Sequence, residues 1–522
     1  MIPNTNLRGR AGCYVLLMGL ILVLAAIGAP PALAQGGDFE QPVTSPEGAG
    51  TSPFSIAVGD FNRDSRRDLA VANLNSRDVT ILLGDGTGNF NPAPTGPEAA
   101  GDRPRSIAVG DFNGDSRSDL AVANEESSDV SILLGDGTGD FTAAPTGPET
   151  AGDAPTSIAV GDFNQDSRQD LVIANQSSND VTILLGAGTG NFSPAPTGPE
   201  AAGDFPTSVA VGDFNGDSRP DLAVANLFSG DVTILLGDGT GNFSPAPTGP
   251  EAAGFSPSSV ALGDFNRDSH LDLAVANRDS NDITILLGNS TGDFAPAPTG
   301  PESAGDRPRS VAVGEFNGDS RPDLAIANQS SNDVTILLGD GTGNFTPAPT
   351  SPEGVGTSPF SIGVGDFNGD SRSDLAVANA SAGNVTILLA RVAGQPQCTM
   401  RRGAGNDIVR GTPGRDVICT GAGNDIVYGL GGGDVIRGGP GNDIVRGDAG
   451  NDRLEGGSGN DKLIGGAGND RLIGGTGADT LSGQDGRDSL DARDGGRGND
   501  LVDGGPGSDS CFRDPGDVHT SC

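Results

Sequence analysis

Ser55-Ile56-Ala57-Val58-Gly59-Asp60-Phe61 opens a unit that continues through a polar loop to Asp68-Leu69-Ala70-Val71-Ala72-Asn73. It then runs through Asp78-Val79-Thr80-Ile81-Leu82-Leu83-Gly84 and a Gly-rich turn to Asn89-Phe90. Each run is short, rich in Val, Ile and Leu, and bounded by Gly, Asn or Asp, which is the signature of strands separated by turns. No stretch has helical spacing. The acidic residue that follows the first run returns every 51 residues, at Asp60, Asp111, Asp162, Asp213, Asp264, Glu315 and Asp366. Four strands in a repeat of this length make one blade of a β-propeller, and a fixed internal period decides the fold before any single residue does.

Seven copies run from Phe54 to Ala390, and the two ends of the array test whether the ring closes. The seventh copy stops after Ile387-Leu388-Leu389 without a fourth strand. Asp38-Phe39-Glu40-Gln41-Pro42, ahead of the first copy, stands 51 residues before Asn89-Phe90-Asn91-Pro92. The expected fold is therefore all-β: a seven-bladed β-propeller over 38–390 closed by an N-terminal strand, with the first strand of each blade, carrying small Ala57 and Gly59, near the axis.

The loop after each first strand places oxygen side chains at positions one, three, five and nine, with a main-chain carbonyl at seven. That spacing wraps a hard cation in oxygen. The sets are Asp60, Asn62, Asp64 and Asp68; Asp111, Asn113, Asp115 and Asp119; Asp162, Asn164, Asp166 and Asp170; and Asp213, Asn215, Asp217 and Asp221. They continue as Asp264, Asn266, Asp268 and Asp272; Glu315, Asn317, Asp319 and Asp323; and Asp366, Asn368, Asp370 and Asp374. Calcium suits such loops better than magnesium, which keeps more of its water. Position six is Ser65 and its equivalents rather than Gly, so a left-handed residue there is strained. Glu315 is one methylene longer than its counterparts.

Units such as Val211-Gly212-Asp213-Phe214-Asn215-Gly216-Asp217 followed by Asp221-Leu222-Ala223-Val224-Ala225-Asn226 resemble the FG-GAP, or VCBS-type, repeat of integrin-α-like propellers. The resemblance spans about Asp38 to Ala390 and implies that these loops bind calcium between the first two strands of a blade. Members of that family range from adhesion proteins and lectin-like binders to enzymes, so the fold does not choose among functions.

A second period begins at Arg402. Asp407, Asp416, Asp425, Asp434, Asp443, Asp452, Asp461, Asp470, Asp479 and Asp488 recur every nine residues, and Asp500 and Asp509 follow after a three-residue insertion. Two residues beyond each aspartate stands an apolar one, from Val409 and Ile418 to Leu481 and Leu490. Gly-Ala-Gly-Asn-Asp407-Ile-Val409 resembles the repeats-in-toxin (RTX) nonapeptide. The resemblance implies a parallel calcium β-roll over 402–510 after a linker at 391–401, with two repeats per turn and ions shared by aspartates two repeats apart, such as Asp443 and Asp461. Residues 511–522 are expected to cap it.

The first 34 residues have the form of a secretory signal peptide: Arg8 and Arg10, an apolar stretch from Val15 to Ile27, then Ala32-Leu33-Ala34 before Gln35. Its removal takes Cys13 and moves the net charge from −38 to −40. Four cysteines remain, Cys398, Cys419, Cys511 and Cys522, an even number that suits two disulfides in an exported chain. Three pairings are possible; Cys398 with Cys419 and Cys511 with Cys522 are nearest in sequence.

The acidic surplus argues against nucleic acid or an anionic membrane as partner. After signal removal no membrane span is expected. Divalent ions in both modules would offset the charge, so the chain is expected to fold after export, where calcium is plentiful. His270 and His519 are the two histidines, and neither accompanies a nucleophile motif, so the sequence does not read as an enzyme.

The loops opposite the calcium loops carry Phe54, Phe205, Leu227, Phe228, Phe255 and Phe360 with Arg103, Arg105, Arg307 and Arg309. Exposed aromatics there suit an extracellular glycan or protein ligand, with Phe205, Phe228 and Phe255 the candidate contacts. The reading is a secreted calcium-binding adhesion or ligand-binding module. The alternatives are a structural matrix or surface-layer component and, behind it, an extracellular hydrolase or lyase.

Overall fold

The computed structural model describes residues 39–42, 45–391, 398, 400–402, 405–421, 423–494 and 499–522. The signal-peptide segment and most of the linker lie outside these residues. No helix occurs among them, and none is long and apolar enough to cross a membrane.

Residues 39–390 form seven antiparallel sheets. In the first blade the strands Pro53–Gly59, Asp68–Asn73, Asp78–Gly84 and Phe90–Pro92 pair in sequence order. The second strand is buried from end to end, because neighbouring blades cover both its faces. A fifth strand of two residues, Glu98–Ala99, pairs with the start of the third, beyond the four that the apolar runs predict. First strands of successive blades neighbour one another around the ring, including the first blade against the seventh. Ser361 Oγ accepts the Ile56 N–H at 3.1 Å and Ser55 Oγ the Ile107 N–H at 3.3 Å, and the same bond joins the other first strands.

The ring closes through the N-terminal segment. Phe39–Glu40 pairs with Asn384–Ala390, Phe39 opposite Ala390, and Glu47–Gly48 pairs with the start of that same strand. Phe39 also completes an aromatic circuit. Each blade's loop phenylalanine meets the fourth-strand phenylalanine of the next blade edge to face, as Phe61 does Phe141 at 5.6 Å. Phe316 meets Phe39 at 5.6 Å, and Phe367 meets Phe90 at 5.4 Å.

From Met400 to Thr520 the chain winds into two parallel sheets of seven strands each. The inward residues of the inner strands are apolar: Val409, Ile418, Val427, Ile436, Val445, Leu454, Leu463, Leu472, Leu481, Leu490 and Val502 stack into one thin core. The turns need glycine because successive coils nearly touch; Gly457, at φ +123°, is a position where an L side chain would be strained and would strike the Gly439 main chain. Met400–Arg401 and Val518–Thr520 are outermost strands, so the sheets extend past 402–510 at both ends. Disulfides Cys398–Cys419 and Cys511–Cys522 sit one at each end of this array.

Candidate metal centres and ligand face

In the first propeller loop, Asp60 and Asn62 fold the chain around their own side chains. Asp60 Oδ1 and Asn62 Oδ1 both accept the Asp64 N–H, at 3.1 and 3.0 Å, while Asp60 Oδ2 accepts the Ser65 N–H at 3.0 Å. Asp64 Oδ1 accepts the Arg66 N–H at 2.9 Å. This is the local side-chain to backbone bonding that Asp and Asn favour in turns. Ser65 takes φ 66°, and its equivalents Ser116, Ser167, Ser218, Ser269, Ser320 and Ser371 are also left-handed, so the strain expected at position six is present in every copy. Glu315 reaches the same region with Oε1, which accepts the amides of Asn317 at 3.1 Å and Asp319 at 3.0 Å.

Position nine behaves differently from positions one, three and five. Asp68 is fully buried; its Oδ2 accepts the Phe61 N–H and its Oδ1 the Gly84 N–H, each at 2.8 Å. Asp119, Asp170, Asp221, Asp272, Asp323 and Asp374 repeat the arrangement. The carboxylate thus ties the loop to the third strand. Burial pushes Asp68, Asp170 and Asp272 up to about 6, and Asp323 and Asp374 to about 7. Spacing alone did not show this backbone role. Nor did it show that the side chain at position seven pairs with the carboxylate at position five, as Arg321 does with Asp319 at 3.3 Å and His270 with Asp268 at 3.0 Å. Among the described residues no three His, Cys, Asp or Glu side chains converge on one point.

The β-roll offers a sharper test of fit. Asp443 donates its N–H to Asp461 Oδ1 at 2.8 Å, and the same bond joins Asp425 to Asp443 and Asp452 to Asp470 one coil further on. Register resumes across the insertion, where Asp479 donates to Asp500 Oδ1 at 2.7 Å. The other carboxylate oxygen, Oδ2, of Asp425, Asp434, Asp443, Asp452, Asp461, Asp470, Asp488, Asp500 and Asp509 is buried without a hydrogen-bond partner. A buried carboxylate oxygen left this way is costly unless a positive charge meets it. Those of Asp434, Asp443, Asp452, Asp461, Asp470, Asp488 and Asp509 each face a glycine hollow. A β-carbon added at Gly456 would fall 2.5 Å from both Asp461 Oδ2 and Gly474 O, and one at Gly429 would fall 2.5 Å from Asp434 Oδ2 and 2.7 Å from Gly447 O. The glycine thus lets a carboxylate oxygen and a main-chain carbonyl come close together, and both are hard donors of the kind calcium takes. Burial pushes Asp443 up to about 7 and Asp434, Asp470 and Asp479 to about 6, against their backbone hydrogen bonds. The residues present fit calcium.

On the face opposite the propeller loops, the candidate aromatics divide into two groups. Phe205 and Phe228 stack at 4.3 Å between centroids, and Phe228 and Phe255 are 70% and 77% exposed. Phe228 and Phe255 flank one cleft of about 380 Å³ floored by Gly230, Ala253 and Gly254. Leu227 is buried beneath. Phe54 and Phe360 lie instead at the ring axis with Arg105 and Arg309. His519 contacts Arg513 at 3.3 Å.

Residues 60–122, 111–173, 162–224, 214–275, 264–326 and 315–377 match the model of the FG-GAP-like repeat. Residues 402–436, 428–463, 464–495 and 491–517 match that of the RTX calcium-binding nonapeptide repeat. The T-cell immunomodulatory proteins of Rattus norvegicus and Mus musculus are each 24% identical over 313 residues, 53% of this chain and 50% of theirs. The chain therefore spans about half the length of the curated relatives it matches. A solved protein structure from Lactobacillus plantarum is similar with a TM-score of 0.47 and 16% identity, over 60% of this chain and 87% of that one.

Proposed function

The chain belongs to the FG-GAP-like repeat family and carries RTX calcium-binding nonapeptide repeats behind its propeller, and from that premise we propose a secreted, calcium-stiffened adhesion or ligand-binding module that takes an extracellular glycan or protein in the Phe228–Phe255 cleft. The observation that carries this reading is the exposure of those two rings against the register of the repeat. In the other six copies the Phe255 position holds Thr51, Asp102, Asp153, Asp204, Asp306 and Thr357, and the Phe228 position holds Asn75, Glu126, Ser177, Asp279, Ser330 and Ser381. Polar residues suffice for folding at both positions. Two adjacent exposed aromatics on a rigid ring are what ligand contacts use.

Calcium enters this proposal as a structural ion. Asp60, Asn62, Asp64 and Asp68 with their six sets of equivalents would hold it in the propeller, and the roll aspartates from Asp407 to Asp488 would hold it beside their glycine carbonyls. The ion would supply the positive charge that the orphaned Oδ2 atoms lack, and it would couple folding to the calcium outside the cell. The two disulfides and the signal-like N-terminus support export.

The test is a glycan array and a cell-binding assay with the calcium-loaded chain, against a variant with Phe205, Phe228 and Phe255 all replaced by Ala. The proposal expects binding that the variant loses while its circular dichroism is unchanged. Binding equal in both proteins removes the cleft as the site. Calcium-dependent self-association in place of ligand binding would favour a matrix role.

A further inference from the structure

The first strands of the seven blades present one column of side chains around the axial mouth, and that column is not uniform. Its members are Phe54, Arg105, Thr156, Thr207, Ser258, Arg309 and Phe360, spaced by one repeat each. Thr156, Thr207 and Ser258 turn their hydroxyls inward to main-chain carbonyls, as Thr156 does to Pro206 O at 2.9 Å and Ser258 to Pro308 O at 2.8 Å. The other four form a continuous stack across the closure seam. Phe54 and Phe360 lie 4.2 Å apart between centroids; the Arg105 guanidinium sits 4.9 Å over Phe54, and that of Arg309 sits 4.8 Å over Phe360. Such cation–π contacts fix both arginines at the mouth. The small residues opposite leave a cavity of about 140 Å³, room for several waters or one small anion.

Blades two and six then differ in one informative residue. Both carry an Arg-Pro-Arg segment, Arg103 to Arg105 and Arg307 to Arg309. In blade two Glu125 pairs with both arginines, 3.0 Å from Arg105 and 3.2 Å from Arg103, and offsets one of their two charges. At the same register in blade six stands Gln329, whose neutral amide oxygen accepts from Arg309 Nε at 2.7 Å. Among the described residues no carboxylate lies within ion-pair distance of Arg309. Burial, with Arg278, Arg105 and Arg307 nearby, lowers its guanidinium to about 10, and Asp279 opposes the effect. Asp279 is itself engaged by Arg278 through two bonds, at 3.0 and 2.9 Å. An excess of positive charge thus sits at the axis of a chain whose net charge is −38.

We propose that this axial mouth is an oxyanion site: a carboxylate or sulfate group of an acidic ligand enters between Arg309 and Arg105 and takes hydrogen bonds from the Arg309 guanidinium nitrogens that Gln329 leaves free. Planar donor forks suit such groups, and Arg supplies them without changing protonation. The site is separate from the Phe228–Phe255 cleft, and neither proposal depends on the other.

The experiment is isothermal titration of the full calcium-loaded chain at low salt with sodium sulfate, sodium glucuronate and glucose. The expected result is saturable binding of sulfate or glucuronate at one site per chain, with none for glucose. Binding of both anions shows that a free oxyanion suffices; binding of glucuronate alone shows that the sugar carrying the carboxylate is also read. R309Q should weaken anion binding by about 10- to 100-fold, the range for a lost hydrogen bond to a charged group. E125Q, which releases Arg105, should tighten it. The variant with Phe205, Phe228 and Phe255 replaced should leave it unchanged. Equal heats for glucuronate and glucose, no heat for either anion, or wild-type affinity in R309Q would each overturn the proposal. Should R309Q fail to fold, R309K and E125Q still decide it, since a site built on the guanidinium fork loses affinity in the first and gains it in the second.

Discussion

Gly456→Ala is the substitution that asks most directly whether the roll's hollows seat ions. The new β-carbon lies 2.5 Å from Asp461 Oδ2 and 2.5 Å from Gly474 O, well inside contact distance, and the second of these is main chain that cannot swing away. Gly456 has ordinary backbone torsions, so the cost is steric alone. Overpacking of this kind costs about 1–3 kcal/mol. If the hollow is a calcium seat, a second loss appears only when calcium is present. An extracellular-type site with a dissociation constant of about 10⁻⁴ M, held at 10 mM calcium, stabilises the folded state by about 2.7 kcal/mol. The variant should forgo that contribution as well. Urea unfolding followed by circular dichroism, with and without calcium, measures the two losses separately, and native mass spectrometry should count one ion fewer. Gly414→Ala, whose β-carbon meets nothing nearer than 3.8 Å, serves as the control. An equal calcium-induced stabilisation in Gly456→Ala and wild type would refute the reasoning, whatever the steric cost proves to be.

Three further outcomes are expected. Asp68→Asn sets an amide donor against one of two backbone N–H groups held at 2.8 Å, so it should destabilise the propeller by about 1–3 kcal/mol even in chelator; Asp64→Asn, in the exposed part of the loop, should cost stability only in calcium, and melting curves under both conditions separate the two. Metal-stripped protein should lose roll stability as pH rises: burial raises Asp443 from 3.8 to about 7 and Asp434 from 3.8 to about 6, so the folded state binds their protons more tightly than the unfolded one. The contribution is complete below about pH 4 and disappears through 6 to 7, and calcium should reverse the trend; a flat thermal midpoint between pH 5 and pH 8 without metal would contradict it. Phe39→Ala removes a ring that is 6% exposed and packed on Phe316, so it should cost the propeller about 3–5 kcal/mol, read as a lowered melting temperature, if the N-terminal strand is what closes the ring.

Which parts of this molecule were legible beforehand follows from what a repeat records. A residue that recurs in register reports a constraint shared by every copy, so the period of 51 counted the blades, and Phe39, one period ahead of Phe90, announced the closing strand. What the constraint is remains invisible to spacing. Asp68 and Asp64 recur equally well, yet one holds two backbone amides in the interior and the other lies in an exposed turn. The pairing of Glu98–Ala99 with the third strand escaped notice because two residues beside a proline carry no periodicity. The orphaned Oδ2 atoms of the roll required coordinates, since sequence cannot say which carboxylate oxygen already has a partner. Departures from register carry the complementary information. Phe255 among Asp and Thr, or Phe228 among Asn, Glu, Ser and Asp, is unnecessary for a fold that the other copies build without it. Selection for folding therefore does not explain such residues, and those that also face solvent or the axis are where ligand contacts belong.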